Sequence, residues 1–428
     1  MSVTFDTTLD ALVKGVPWLA HGLPLSEIGE QHWSVLTQDL PLPVAVIREP
    51  ALRNNLRWMR AFTEASCISL APHGKTTMSP DLFAMQLAEG AWGITLATMQ
   101  QVRVARQARI RRIIFANQLI APHDISYVLR ELNADPEFEF YILVDSEAGV
   151  ERIARAASAA GLRNPVRALL ELGQPGGRAG CRDLATAGDV ARAVRRAAPY
   201  LELHGVECYE GLNGSGEDGI RRVHEVLEFS VETARTLDAQ RLFDGDEVVL
   251  TAGGSAYFDI ACNVLSNGPF SRPRRVVLRS GCYLLHDGEH YAAHFERIRQ
   301  RSPIASRVSG TLVNALEVWA YVTSVPETTR AIVGAGRRDL GFDAGMPVPL
   351  LHFRPGCDER PRALSRDWKI AGLNDQHAHL QVPHGADIAV GDMLALGVSH
   401  PCTTLDKWQL VYLADDEYIV QSAVRTFF

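Results

Sequence analysis

Three short stretches of this sequence carry residue types that could do chemistry. In SLAPHGKTTMSP, Lys75 follows a short apolar run and precedes a helix expected to begin at Ser79-Pro80, since serine then proline suits an N-cap and a first helical position. An amine held at the end of a strand can serve as nucleophile or general base, although a lysine there is as readily an ordinary solvated side chain. In EVVLTAGGSAYFD a buried strand runs into Thr251-Ala252-Gly253-Gly254-Ser255. Glycines let the backbone approach an anion, and free N–H groups ahead of a helix can hold a phosphate, although Gly-Gly turns are common. The next strand, VVLRSGCYLLHD, ends in another glycine turn at Gly281. In VSHPCTTLDKW, His400 and Cys402 stand two apart, so an extended segment would put both on one face. Imidazole with thiolate is a zinc-like pair, and two ligands alone would leave positions open for substrate and water. An isolated His-x-Cys nevertheless usually arises by chance.

The elements that would position these residues fall into two textures. From about residue 44 to 285, short apolar runs (PVAVI, ISLAP, GITLA, RIIFA, FYILVD, VRALLEL, LELHGVECY, EVVLTAG, RRVVLR) alternate with stretches of near-3.6 period such as SPDLFAMQLAEG, ATMQQVRVARQA, SEAGVERIARAASAAG and ATAGDVARAVRRAAP. That alternation predicts parallel βαβ units, and about eight of them match a (β/α)8 barrel, with a doubly wound open sheet as the rival. Beyond residue 286, strand-like runs separated by Gly, Pro and Asp predict a mostly antiparallel β domain. The expectation is an α/β chain: a barrel over residues 45–285, and a β domain made by residues 1–44 with 286–428. A lysine at the C-terminal end of a barrel strand, and a glycine turn after a late strand, lie where such barrels keep their chemistry and their phosphate sites.

Composition narrows the function classes. Of 428 residues 46% are hydrophobic and 22% charged, which suits a packed globular chain of two or three domains. Acidic residues outnumber basic ones by 50 to 43, for a net charge of −7, which argues against a nucleic-acid surface. The seven cysteines are scattered without a CxxC pair, as in reduced intracellular proteins. No signal-peptide pattern opens the sequence and no apolar run of about 18 residues occurs, so a cytoplasmic protein with no membrane association is expected.

The motifs also carry a resemblance. PHGKTT resembles the lysine motif of the fold-type III pyridoxal-phosphate (PLP) enzymes, the alanine-racemase-like barrels, and within them the D-serine dehydratase and D-threonine aldolase group with its "amino acid deaminase" branch. ELGQPGGRAG is similar to that fold's acidic-Gly…Arg-x-Gly strand, TAGGSAYFD to its phosphate-binding turn, and LRSGCY to its Arg-Pro-Gly turn, with Ser280 replacing proline. The resemblance covers nearly the whole chain in order. It implies PLP as cofactor, with Lys75 as the Schiff-base lysine and general base. Arg178 would lie near the cofactor's phenolic oxygen, Gly253, Gly254, Ser255 and Gly281 at its phosphate, and Tyr209 or Arg279 at its ring nitrogen. SHPCTTLDKW resembles the C-terminal metal motif of D-serine dehydratases, which implies a divalent metal, Zn2+ by type, on His400 and Cys402. The aldolase branch more often has His-x-Asp there. GLNDQHAHL resembles a further stretch of the group and suggests His377 near the substrate. The implied reaction is dehydration and deamination of a small D-β-hydroxy amino acid, of the D-serine or 3-hydroxyaspartate type, to a 2-oxo acid and ammonia. A D-threonine aldolase and a non-catalytic PLP carrier are the alternatives, and a homodimer is implied.

Overall fold

The computed structural model describes residues 7–214 and 216–428; residues 1–6 of the N-terminal segment lie outside the described residues. The first strand, β1 (Val44–Arg48), is followed by α1 (Glu49–Ala65) and then by eight parallel strands. These are β2 (Ser69–Leu70), β3 (Ile94–Leu96), β4 (Arg112–Gln118), β5 (Glu139–Val144), β6 (Val166–Leu172), β7 (Leu201–Cys208), β8 (Val248–Ala252) and β9 (Arg274–Leu278). Their spatial order is β2-β9-β8-β7-β6-β5-β4-β3. A parallel bridge between His73 and Thr95, just past the end of β2, closes the sheet on itself. The interior is filled by Ala71, Ile114, Tyr141, Leu143, Leu169, Val249 and Val277, all inward-facing and buried, so the barrel is a packed core rather than a pore.

The connecting helices lie outside: α2 (Pro80–Ala88), α3 (Met99–Gln107), α4 (Pro122–Ala134), α5 (Glu147–Ala159), α6 (Leu184–Arg196), α7 (Glu217–Ala239) and α8 (Phe258–Leu265). Local sequence fixes their starts. A capping box joins Thr98 and Gln101, and the side chains of Ser146 and Asp183 accept from backbone N–H groups three residues on. α2 starts at Pro80 as expected, but the Ser79 hydroxyl is buried and makes no capping bond; proline alone sets that boundary.

Two expectations about the boundary are corrected. PVAVI is not a barrel strand: β1 pairs antiparallel with β10 (Leu316–Glu327) and parallel with a strand at Leu410–Ala414. A five-residue apolar run buried on both faces reads alike in either setting. Nor does the β domain begin at 286. Residues 290–307 form two helices, α9 (His290–Arg301) and α10 (Pro303–Arg307), and the Phe295 ring meets Trp58 of α1 edge-on at 4.8 Å, as part of the barrel's outer layer.

The remaining strands are β11 (Arg330–Val333), β12 (Val348–Phe353), β13 (Arg362–Ala363), β14 (Lys369–Leu373), β15 (Ala378–Gln381), β16 (Met393–Gly397), β17 (Leu410–Ala414) and β18 (Val420–Arg425), with a short helix α11 (Pro401–Leu405) before β17. Every pairing among β10–β18 is antiparallel. The N-terminal segment packs here. Leu9, Val16, Leu25 and Ile28 share a core with Trp319 and Tyr412, and Lys14 Nζ lies 3.7 Å from the centroid of the Trp408 ring.

Candidate functional site

The lysine is presented by a turn that leaves little else free. Past β2, Ala71 N donates to Leu278 O at 2.8 Å and His73 N to Arg279 O at 3.0 Å, so the chain stays bound to β9. It then makes a single 3-10 turn, Gly74–Thr76. A Cβ on Gly74 would stand 2.8 Å from Phe83 and 2.9 Å from Leu96, so a larger residue would have to displace these buried side chains. Gly74 and Thr76 are buried while Lys75 is exposed. The backbone is pinned and one amine reaches out at the C-terminal mouth of the barrel.

Opposite it, β6 to β9 deliver polar side chains. Arg279, 3% exposed, ion-pairs with Glu207 and donates to Thr251 Oγ1 at 2.8 Å and to the Cys208 carbonyl at 3.1 Å. The Arg178 guanidinium lies 5.1 Å from the centroid of the Tyr209 ring. These groups share one field: burial, and then the charges of Lys75, Arg279 and Arg178, hold the His73 imidazole well below its usual range. Glu171, hydrogen-bonded to Gln118, is pushed up to about 7 by burial and by Glu207.

The glycine turn after β8 is tightly fitted. A Cβ on Gly253 would lie 2.8 Å from Arg279 Nε, and one on Gly254 2.6 Å from Glu210 Oε1. The Gly253 N–H donates to a carboxyl oxygen, Glu210 Oε2, at 3.1 Å, so the backbone of this turn faces an acceptor oxygen. Ser280 Oγ donates to the Gly254 carbonyl at 3.0 Å and ties the turn to the end of β9; the residue replacing proline is a brace. Three buried polar atoms here, His73 Nδ1, Glu207 Oε2 and Glu210 Oε1, have no hydrogen-bond partner. Native interiors rarely leave such atoms unpaired. With an exposed lysine, two arginines and a glycine turn whose backbone donates to an acceptor oxygen, they fit a polar, phosphate-bearing aldehyde.

The second cluster adjoins the first. His400 caps α11 and Cys402 lies within it. His400 Nδ1 is hydrogen-bonded to Asp343 Oδ2 at 2.7 Å, the orienting contact that metal-binding histidines use, and this leaves Nε2 as the nitrogen able to take a metal. Cys402 Sγ donates to Thr76 Oγ1 at 3.4 Å, which puts the thiol beside the residue next to Lys75. It also lies 3.7 Å from Cys282 Sγ. Among the described residues no group of three or more His, Cys, Asp or Glu side chains could hold a metal ion, so these two residues are the protein donors on offer. The donor set, imidazole and thiol, suits a borderline-soft divalent ion.

Lys75, Arg178, Tyr209, Gly253, Gly254, Ser255, Arg279 and Gly281 thus sit at or just beyond the C-terminal ends of barrel strands, and His400 and Cys402 come to the lysine turn from the β domain. His377 is not brought there. It lies exposed in the β14–β15 hairpin turn, where its carbonyl accepts from Asn374 N at 2.8 Å. Sequence reasoning missed Glu207, Glu210, Asp343 and Cys282. Glu207 and Glu210 were visible in HGVECYEG as carboxylates at a strand's end.

Comparisons with known proteins agree with this architecture. Residues 47–297 match the alanine racemase N-terminal domain, and residues 315–414 match a serine dehydratase domain. A D-threonine aldolase from Arthrobacter sp. is 26% identical over 372 residues, covering 84% of this chain and 86% of that protein. A D-threo-3-hydroxyaspartate dehydratase from Delftia sp. (strain HT23) is 25% identical over 385 residues, covering 85% of this chain and 92% of that one. Among solved structures, D-threonine aldolase from Filomicrobium marinum superposes with a TM-score of 0.72 at 21% identity, covering 91% of this chain and 95% of that chain. The Delftia dehydratase gives 0.70 at 21% identity, covering 92% and 99%. A cysteine-to-alanine mutant of that dehydratase, in the metal-free form, gives 0.72 at 21% identity over the same shares. Since the matched barrel segment spans more than half of the sequence, this chain belongs to the alanine racemase N-terminal domain family, and with it to the fold-type III PLP enzymes.

Proposed function

We propose that the protein is a cytoplasmic lyase that dehydrates and deaminates a small D-β-hydroxy amino acid, of the D-serine or 3-hydroxyaspartate type, to a 2-oxo acid and ammonia. The observation that carries this reading is the approach of Cys402 to Thr76. It sets a thiol-imidazole pair suited to a metal beside the lysine, where a β-hydroxyl would need help to leave. Bound PLP would supply a sink for the negative charge left at Cα, and a divalent ion, Zn2+ by its donors, would supply a Lewis acid for the departing oxygen. In this reading Lys75 anchors the cofactor and then moves the α-proton as general base. Gly253, Gly254, Ser255 and Gly281 would hold the phosphate with backbone groups, and Arg178, stacked on Tyr209, would face the phenolic oxygen. Arg279 would meet the ring nitrogen, its charge balanced by Glu207. His400 and Cys402 would hold the ion, with Asp343 orienting the imidazole. The dimer implied by the family belongs to the same proposal; exposed Leu12, Trp18 and Leu19 in the N-terminal segment offer apolar surface for it.

The 26% identity with a D-threonine aldolase favours one second reading, retro-aldol cleavage to glycine and an aldehyde. Cysteine rather than aspartate at 402 is the reason to prefer dehydration. The test is to incubate the protein with PLP, zinc and a panel of D- and L-β-hydroxy amino acids. Ammonia with a 2-oxo acid supports dehydration, glycine with an aldehyde supports the aldolase, and neither refutes both.

A further inference from the structure

Beside the glycine turn stands a carboxyl to which the proposed reaction gives no part. Glu210 follows β7 by two residues and is 0% exposed. Its backbone is pinned. The Glu210 carbonyl accepts from Asn213 N at 3.2 Å and from Asn213 Nδ2 at 3.1 Å, and Gln174 Nε2 donates to Asn213 Oδ1 at 2.6 Å. The side chain is held against the turn after β8. Oε2 accepts from Gly253 N at 3.1 Å, and Oε1 lies so near that a Cβ on Gly254 would come within 2.6 Å of it. Arg279 presses on the same turn at Gly253, and Ser280 Oγ holds the Gly254 carbonyl at 3.0 Å.

Two observations bear on the charge this carboxyl carries. Oε1 is buried and has no hydrogen-bond partner, and among the described residues Glu210 enters no ion pair. The nearby cation, Arg279, is already paired with Glu207. A buried carboxylate without a counter-ion is costly, and such groups stay neutral instead. Burial holds Glu210 above the usual carboxylate range, although the N–H groups of Gly253 and Gly254 and the charge of Arg279 pull the other way. The other titratable groups that feel it are Glu207, Cys208 and Tyr209 on its own segment and Cys262 of α8, none of them cationic. An ionised Glu210 would repel a phosphate and compete with it for the Gly253 N–H. A neutral carboxyl accepts that N–H and adds no charge.

We propose that Glu210 is a positioning residue for the cofactor phosphate, a neutral carboxylic acid that shapes the Gly253–Gly254 turn without placing negative charge beside the phosphate. This rests on PLP as the cofactor and not on the lyase reaction proposed above.

The test compares PLP with pyridoxal, the same aldehyde without a phosphate, by absorbance titration of dialysed protein near neutral pH. Infrared spectra of the PLP-loaded protein report protonated carboxyl groups. Glu210→Gln keeps an acceptor and the shape of the neutral acid, and should bind PLP as the native protein does. Glu210→Leu leaves the Gly253 N–H unpaired, and should bind PLP about tenfold more weakly with little change for pyridoxal. The infrared difference between native protein and Glu210→Gln should show one protonated carboxyl lost. Equal losses for PLP and pyridoxal in Glu210→Leu, or no loss for either, overturn the positioning role. A loss in Glu210→Gln as large as in Glu210→Leu, or no protonated carboxyl missing from its spectrum, overturns the neutral form. The conservative Glu210→Gln and the infrared difference decide the matter even where Glu210→Leu fails to fold. Native protein that binds PLP no more tightly than pyridoxal overturns the phosphate turn and this role with it. Each of these results leaves the lyase reaction to its own test.

Discussion

The chain buries two clusters of charged side chains, and they are finished differently. In the β domain, His352 is fully buried between strands. Its Nε2 is bonded to Asp392 Oδ2 at 2.7 Å, and its Nδ1 accepts from Arg362 Nε at 3.0 Å. Arg354 Nε donates to Asp392 Oδ1 at 2.8 Å, Arg354 Nη2 to Asp392 Oδ2 at 2.9 Å, and Nη1 and Nη2 also reach Asp387. Burial pushes the Asp392 carboxyl up, but Arg354 and His352 more than offset it, and it ends below its usual range. At the barrel mouth, Arg279, Glu207 and Glu210 are just as enclosed and His73 partly so, yet three polar atoms of these residues are unpaired. Burial there holds Glu207 and Glu210 above the usual carboxylate range. A completed network fixes a fold; an incomplete one is costly unless something else completes it. The contrast is one reason the mouth is proposed as the binding site.

Breaking the contrast from the functional side should give the largest effect. Lys75→Ala should abolish the borohydride-trapped covalent link to PLP and lower turnover by about 10³-fold or more. Thermal stability should barely change, because the Lys75 side chain is exposed. Absorbance spectra after dialysis and a melting curve check both halves. Breaking it from the structural side should do the reverse. Asp392→Asn leaves Arg354 and His352 with a weakened partner and should cost about 3 kcal/mol in urea unfolding, with kcat/KM of the folded fraction unchanged. Gly281→Ala lies between the two. Its Cβ would press on the His73 carbonyl, so a loss of about 2 kcal/mol is expected, together with weaker PLP binding by fluorescence titration.

The smallest effect is a pH dependence. The Glu171 carboxyl is raised in the fold, to about 7 from near 4.5, so the stability tied to its neutral form is full below about pH 4.5 and is lost as pH rises through about 7. Glu171→Gln should remove that loss. The difference between variant and native protein should grow in the variant's favour by on the order of 1 kcal/mol between pH 5 and pH 8, read from urea midpoints of the PLP-free protein.

What was legible in the sequence was local. Lys75 announces itself because the strand, glycine, lysine and helix start lie within a dozen residues, and Gly253-Gly254 for the same reason. Barrel helices were readable from period and caps, as at Thr98 and Asp183. The rest depended on chain paths that no local pattern encodes. Cys282 and Cys402 are 120 positions apart, and His400 and Asp343 57. β12 carries Pro349 beside a register shift, so its alternation is broken and its turn-like composition hides it. The helix α9 falls inside the stretch whose texture predicts the β domain, although Phe295 packs against α1. His377 rests on motif resemblance alone, and the hairpin that carries it leaves it exposed.

The central claim is a division of labour: Lys75 moves the α-proton, and the centre at His400 and Cys402 serves departure of the β-hydroxyl. It is tested most directly by following ammonia release and deuterium uptake at Cα, in heavy water, before and after chelation of the PLP-loaded enzyme. The account predicts that chelation, or Cys402→Ala, abolishes ammonia release while deuterium uptake, the bound PLP and the fold persist. Ammonia release that survives chelation, or unfolding caused by it, would contradict the account and make His400 and Cys402 incidental or structural residues.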